Sequence, residues 1–289
     1  MQWTPGGLSD DLEDRRNESG GGGGRFGGFG GRGLGLGGIL IVGLLSLIFR
    51  QNFFTLFSGD AGAPTTARSA PRKPLAQEDR QAQFMSFVLD DAQRNWDQIL
   101  PRDAGVRYRH AKLVLFRDAY PSGCGMAQDA TGPFYCPEDE KVYLDLGFFD
   151  ELKTRFGASS GEFAQAYVVA HEIGHHVQKV LGIEPKVRAL QEQRPSQGNR
   201  LSVALELQAD CFAGVWGNST AQRRLIDTAD IQSALSAAAA VGDDRIQKMS
   251  TGQVSPERFT HGSAAQRTSW FQRGLNSGKI AACDTFSQR

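Results

Sequence analysis

The chain has no excess of either charge: 32 Lys and Arg balance 32 Asp and Glu over 289 residues. Its basic residues are scattered rather than clustered, which argues against a nucleic-acid surface, since that needs a concentrated positive face. Cysteine is scarce. Cys124, Cys136, Cys211 and Cys283 form no Cys-x-x-Cys pair, so a thiolate cage for zinc is not expected. Their even number fits two disulfides in an exported chain. A long, clean apolar run is also lacking. Gly33 to Phe49 carries no charge and is strongly apolar from Ile39 onward, but Arg50 interrupts before Phe53, Phe54, Leu56 and Phe57. A spanning helix needs about 20 mostly apolar residues, so this run is marginal.

These shortages divide the chain. Residues 1–32 are polar, acidic and then Gly-rich, a composition that cannot bury a core and predicts disorder. Residues 33–57 read as an uncleaved transmembrane anchor with Arg50 reaching the interface. Ala61-Gly62-Ala63 resembles a signal-peptide cleavage site, but the preceding region is long and Pro64 follows directly. Arginines flank the run on both sides, so the charge rule barely orients it. Residues 58–74, with Pro64, Pro71 and Pro74, read as a linker, leaving 75–289 as the globular domain.

Within that domain the sequence is most specific at Ala170-His171-Glu172-Ile173-Gly174-His175-His176. A helix turns about 100° per residue, so His171 and His175 share a face and can aim one ring nitrogen each at a single Zn²⁺. Glu172 beside them can take a proton from a water. His176 lies on another face and is the poorer ligand. Gly174 allows a second backbone to come close. Packing alone could put these letters in a helix; a third ligand separates the two readings. Downstream, Glu206 and Asp210 are again one turn apart, among Leu205, Leu207, Ala209, Phe212 and Ala213. Bare carboxylates are rarely buried among such neighbours. Glu206 therefore reads as the third ligand, and Asp210 as the acceptor that fixes the His171 tautomer.

The surrounding elements alternate in kind. Helical spacing of Phe84, Phe87, Val88 and Trp96 predicts a helix over 77–99, ending before Pro101. Lys112 to Phe116 and Lys141 to Asp145 read as strands, and Phe148 opens a helix running to about Phe156. Between the strands, Cys124 and Cys136 flank a loop that reads as disulfide-closed; Cys211 and Cys283 then remain as a pair by elimination. Residues 183–200 read as a loop, and helices are expected over Asp230 to Val241 and over 262–276.

Several stretches together resemble the bacterial neutral zinc metallopeptidase family: Gly132-Pro133-Phe134-Tyr135-Cys136-Pro137, Val142 through Phe149, Ala170 through Gln178, Glu206 through Cys211, and Phe259-Thr260-His261-Gly262-Ser263. The set covers most of the chain after about residue 75. A more distant likeness is to membrane zinc peptidases in which a Thr-His pair is followed six residues on by Arg, as Thr260-His261 and Arg267 are here. The resemblance implies an α+β, mainly helical, zincin-like metallopeptidase domain with a small antiparallel sheet, after an N-terminal transmembrane helix. It implies a Zn²⁺ cofactor and a peptide or protein substrate, paired by strand addition to an edge strand near Val142-Tyr143-Leu144. Glu172 would be the general base, and His261 the donor to the developing oxyanion, with His110 and Tyr143 as weaker candidates. The cysteines and the resemblance together place the catalytic domain outside the cytoplasm on a single-pass anchor. The alternative is a zinc-containing binding or scaffold domain at the membrane, for which Glu172 would be dispensable.

Overall fold

The structure, a computed structural model, describes residues 1–18, 75–128 and 132–287. The domain is mainly helical with a small sheet. A four-stranded sheet has the order β1-β2-β6-β5, where β1 is Leu12–Asp14, β2 Lys112–Phe116, β5 Phe134–Cys136 and β6 Lys141–Asp145. Strands β3 (Ala119–Ser122) and β4 (Gly125–Gln128) form a separate antiparallel hairpin.

The sheet is mixed rather than antiparallel, which corrects the expectation. β1 pairs with β2 and β2 with β6 in parallel; only β5 runs antiparallel to β6. The excursion from residue 117 to 140 is long enough for β6 to return in the same direction as β2. Parallel strands are covered on both faces, and here they are. Leu113, Leu115, Val142 and Leu144 enter the main core, while Val114, Phe116 and Tyr143 face a smaller cluster with Cys136 and Ala127 of β4. Each fully buried side chain of this kind contributes about 1.5–3 kcal/mol. A disulfide joins Cys124, at the hairpin tip, to Cys136 of β5.

Two further expectations change. β6 lies between β2 and β5, so Val142-Tyr143-Leu144 is interior and cannot accept a substrate strand; among the described residues the edge on that side is β5. Residues 1–18, read from composition as disordered, are ordered against the domain. Leu12 is buried in the main core, and Leu12, Glu13 and Asp14 pair with Leu113, Val114 and Leu115. One apolar residue suffices there because β2 supplies the ladder. The remainder of that segment and the candidate span at 33–57 lie outside the described residues. Among the described residues no helix is long and apolar enough to cross a membrane.

Helix α1 (Leu75–Ala104) carries Phe84, Val88 and Trp96 into the core. It runs one turn past its expected end, because Pro101 still accepts a bond from the Gly105 N–H. Then come α2 (Phe148–Thr154), α3 (Glu162–Val180), α4 (Ile183–Gln193), α5 (Gly198–Gln222), α6 (Thr228–Ala240), α7 (Asp243–Thr251) and α8 (Ala264–Ser277). The expected loop at 183–200 is largely helix α4. Pro185 falls in its first turn, where a missing N–H forfeits no helical bond.

Helices α3, α5 and α8 form the centre. α3 and α5 touch backbone to backbone at Gly174, where an added Cβ would lie 2.9 Å from the Ala209 carbonyl oxygen. On the far side of α5, Gly274 of α8 meets Cys211 so closely that a Cβ would fall 1.9 Å from its carbonyl oxygen. The Cys211–Cys283 disulfide ties the chain's last turn to α5.

Candidate metal centre

α3 presents His171 and His175, and α5 presents Glu206 and Asp210. The close crossing at Gly174 and Ala209 brings these turns together. One ligand atom from each of His171, His175 and Glu206 lies within 4.8 Å of the other two. His171 Nε2 is 3.2 Å from Glu206 Oε2, and His175 Nε2 is 3.5 Å from Glu206 Oε1. A tetrahedral zinc with bonds near 2.0–2.1 Å holds its ligands roughly 3.3 Å apart. Donor types and spacing therefore fit zinc. Among the described residues this is the one such convergence of His, Cys, Asp and Glu.

The other ring nitrogens are engaged from behind, which leaves both Nε2 atoms for the cation. His171 Nδ1 donates to Asp210 Oδ1 at 2.9 Å. His175 Nδ1 donates to Gln178 Oε1 at 2.9 Å, while Gln178 Nε2 donates to the Leu205 carbonyl and to Gln208 Oε1, which fixes the amide's orientation. Asp210 is fully buried and also accepts from Tyr167 Oη and from the Arg267 guanidinium. Such partners orient metal ligands and raise their basicity.

The charges interlock. Burial opposes ionisation of Asp210, but Arg267 and His171 outweigh it and hold its carboxyl below the usual aspartate range. Burial likewise disfavours a charged His171, yet Asp210 and Glu206 push its pKa up to about 10, so a cation at Nε2 competes with a proton. Burial would raise Glu206; His261, His175 and His171 instead hold it well below the usual range. It is an anion ready for a cation.

His261 precedes α8 in a loop anchored by Asp243, whose Oδ2 accepts the backbone N–H groups of Thr260, His261 and Gly262 at 2.7, 2.7 and 3.0 Å. Gly262 packs on Leu207 and Val203 of α5, so the loop sits on the helix that bears Glu206. Burial lowers the His261 pKa, but Glu206 and Asp243 raise it above the ordinary value. Glu172 follows His171 on α3 and is 7% exposed.

The two weaker candidates do not join the centre. His110 is held between Asp11 and Asp97 at 2.7 and 2.9 Å, ahead of β2. Tyr143 stacks on Phe134 and donates to Asp139 on the opposite face of the sheet. His176 turns away from the ligands, as its helical position predicts. Its Nε2–H donates to the Arg109 carbonyl and its Nδ1 accepts from Tyr135 Oη, and burial lowers its pKa. Sequence reading missed Tyr167, Gln178 and Asp243. Tyr167 and Gln178 had a signal, standing four residues before His171 and three after His175. Asp243 had none, since it looks like an ordinary acidic helix start.

The chain belongs to the family described as "Putative neutral zinc metallopeptidase", which it matches over residues 1–286. The family's metal is Zn²⁺, in keeping with the His-His-Glu group. The chain is 47% identical to "Uncharacterized protein YpfJ" of Escherichia coli strain K12 over 293 residues, covering 100% of this chain and 99% of that protein. It is 48% identical over 202 residues to "Uncharacterized protein Mb2605" of Mycobacterium bovis, covering 66% of each. No solved structure matches the chain.

Proposed function

We propose that the protein is a zinc-dependent peptidase that hydrolyses peptide bonds with Glu172 as general base. The observation that carries this reading is the convergence of three protein ligands, His171, His175 and Glu206, on adjoining helices, with Glu172 next to His171 in the chain. Structural zinc sites are usually closed by four protein ligands. Zinc bound there supplies Lewis acidity, polarising the scissile carbonyl and easing loss of a proton from the attacking water. Glu172 takes that proton and passes it to the leaving amine. Asp210, Gln178, Tyr167 and Arg267 keep the imidazoles aimed. His261, whose loop is held by Asp243, donates to the developing oxyanion.

The substrate is a peptide or protein segment, lying in extended form along β5, the outer strand on that side among the described residues. Tyr135 of that strand reaches His176 of α3, which ties the edge to the metal-bearing helix. The two disulfides support work in an oxidising compartment outside the cytoplasm, with the apolar stretch at 33–57 attaching the chain to the membrane.

The test is cleavage of a mixed peptide library by the full chain and by Glu172→Gln, both at matched zinc content. Loss of a general base lowers turnover about 10²–10⁴-fold. Equal cleavage by both proteins would overturn the mechanism, and zinc retention without cleavage by either would favour a binding domain.

A further inference from the structure

Residues 1–18 are built into the catalytic domain, although the apolar stretch at 33–57 separates the two in sequence. We infer that residues 1–18 and the catalytic domain lie on the same side of any membrane to which the chain is attached, so that the chain between them does not make one net crossing. The inference does not depend on peptidase activity.

The docking is extensive. β1 continues the sheet, with the Arg15 N–H bonded to the Leu115 carbonyl at 2.8 Å and the Leu113 N–H to the Asp11 carbonyl at 2.9 Å. The Arg16 side chain is 4% exposed and is held by Asp14 and by Asp79 of α1 at 2.6 and 3.0 Å. Lys141 of β6 pairs with Glu13 at 2.8 Å. The Trp3 ring lies 5.2 Å from that of Phe84, and its Nε1 donates to Glu162 of α3. A buried guanidinium separated from its carboxylates is strongly unfavourable.

A single span between residues 18 and 75 would put these partners on opposite sides of a hydrocarbon layer about 30 Å thick. Exchange with a second copy does not avoid the conflict, because residues 1–18 of every copy would lie on the far side from every catalytic domain. Two crossings need roughly 40 apolar residues, whereas 33–57 holds 25 (57 − 33 + 1), one of them Arg50. Cleavage near Ala61-Gly62-Ala63 would leave the strand held to its sheet by non-covalent contacts alone. Placing both parts on one side satisfies these constraints and departs from the single-pass orientation expected from sequence.

The test places one reporter in each part of the full chain. All four cysteines are in disulfides, so Gly6→Cys and Met249→Cys, made singly, each add one free thiol. Gly6 has open space around it and Met249 is exposed. Cells carrying either variant are treated with a membrane-impermeant maleimide before and after permeabilisation. The same pattern for both is expected. Labelling of one in intact cells and of the other only after permeabilisation overturns the inference. A second measurement checks the docking itself: Leu12→Ala in the detergent-purified full chain should lower the melting temperature by several degrees, and an unchanged value overturns it.

Discussion

Arg267 and Asp210 meet as a buried, two-pronged ion pair, Nε to Oδ2 at 2.8 Å and Nη2 to Oδ1 at 3.0 Å, directly behind His171. Asp210 is 0% exposed and Arg267 4%. Removing one member of such a pair leaves the other charged and desolvated, at about 3–5 kcal/mol. Arg267→Ala should therefore lose about that much in urea unfolding of the metal-free chain, and it should also weaken zinc binding. Arg267→Lys should recover little, since an ammonium cannot reproduce the planar fork. Full stability in either variant would show that Asp210 has another counter-charge.

Gly174 sets the distance between the two ligand-bearing helices. An Ala there would place its Cβ 2.9 Å from the Ala209 carbonyl oxygen and 3.0 Å from its Cα, and backbone cannot rotate aside. The helix-propensity gain of about 1 kcal/mol is set against an overpacking cost of about 1–3 kcal/mol. Stability should thus fall only modestly. Zinc affinity should fall further, because separating α3 from α5 moves Glu206 away from both histidines. Competition with a chelator, read beside the melting temperature, would reveal the difference; unchanged affinity would mean that the crossing is not what positions Glu206.

The centre was legible because its chemistry is written in helical periodicity. His171 with His175, and Glu206 with Asp210, each share a face by local geometry, and the apolar residues around the pair predicted burial that Asp210 shows in full and Glu206 in part. Lys112–Phe116 and Lys141–Asp145 were legible for the same local reason. What depends on distant pairing was not. Strand direction and order follow from where the chain returns, so neither the parallel pairing of β2 with β6 nor the interior place of β6 shows in alternation. β1 is hidden by its composition: Leu12-Glu13-Asp14 has one apolar residue, and its partners lie about 100 residues on. Asp243 gathers the Thr260–Gly262 loop through backbone N–H groups, which leave no mark in sequence.

His110 joins the N-terminal segment to the domain through Asp11 and α1's Asp97. Burial lowers its pKa, but hydrogen bonds and charge from Asp97 and Asp11 outweigh that and raise it above 6.5. A folded-state pKa above the unfolded one means that the stabilisation is complete below about pH 6.5 and fades as pH rises through the folded value. The side chain is 42% exposed, so the effect should be small. The stability advantage of the native chain over His110→Asn should be largest in mildly acidic buffer and shrink toward alkaline pH. A difference that grows with pH would reverse the sign argued here.

The two disulfides differ in the loops they close, with separations of 12 residues for Cys124–Cys136 and 72 for Cys211–Cys283. In the chain-entropy account the shorter is worth about 3 kcal/mol and the longer about 4 kcal/mol. The longer one also acts on the centre. Cys211 follows Asp210 directly, and Gln208, which accepts from Gln178 behind His175, donates to the Cys283 carbonyl at 2.9 Å. Replacing Cys211 and Cys283 by Ser should therefore lower both stability and zinc affinity, whereas replacing Cys124 and Cys136 should lower stability alone. Unfolding midpoints and zinc titrations on the two double variants would decide this, and equal zinc affinity in both would detach the C-terminal turn from the metal centre.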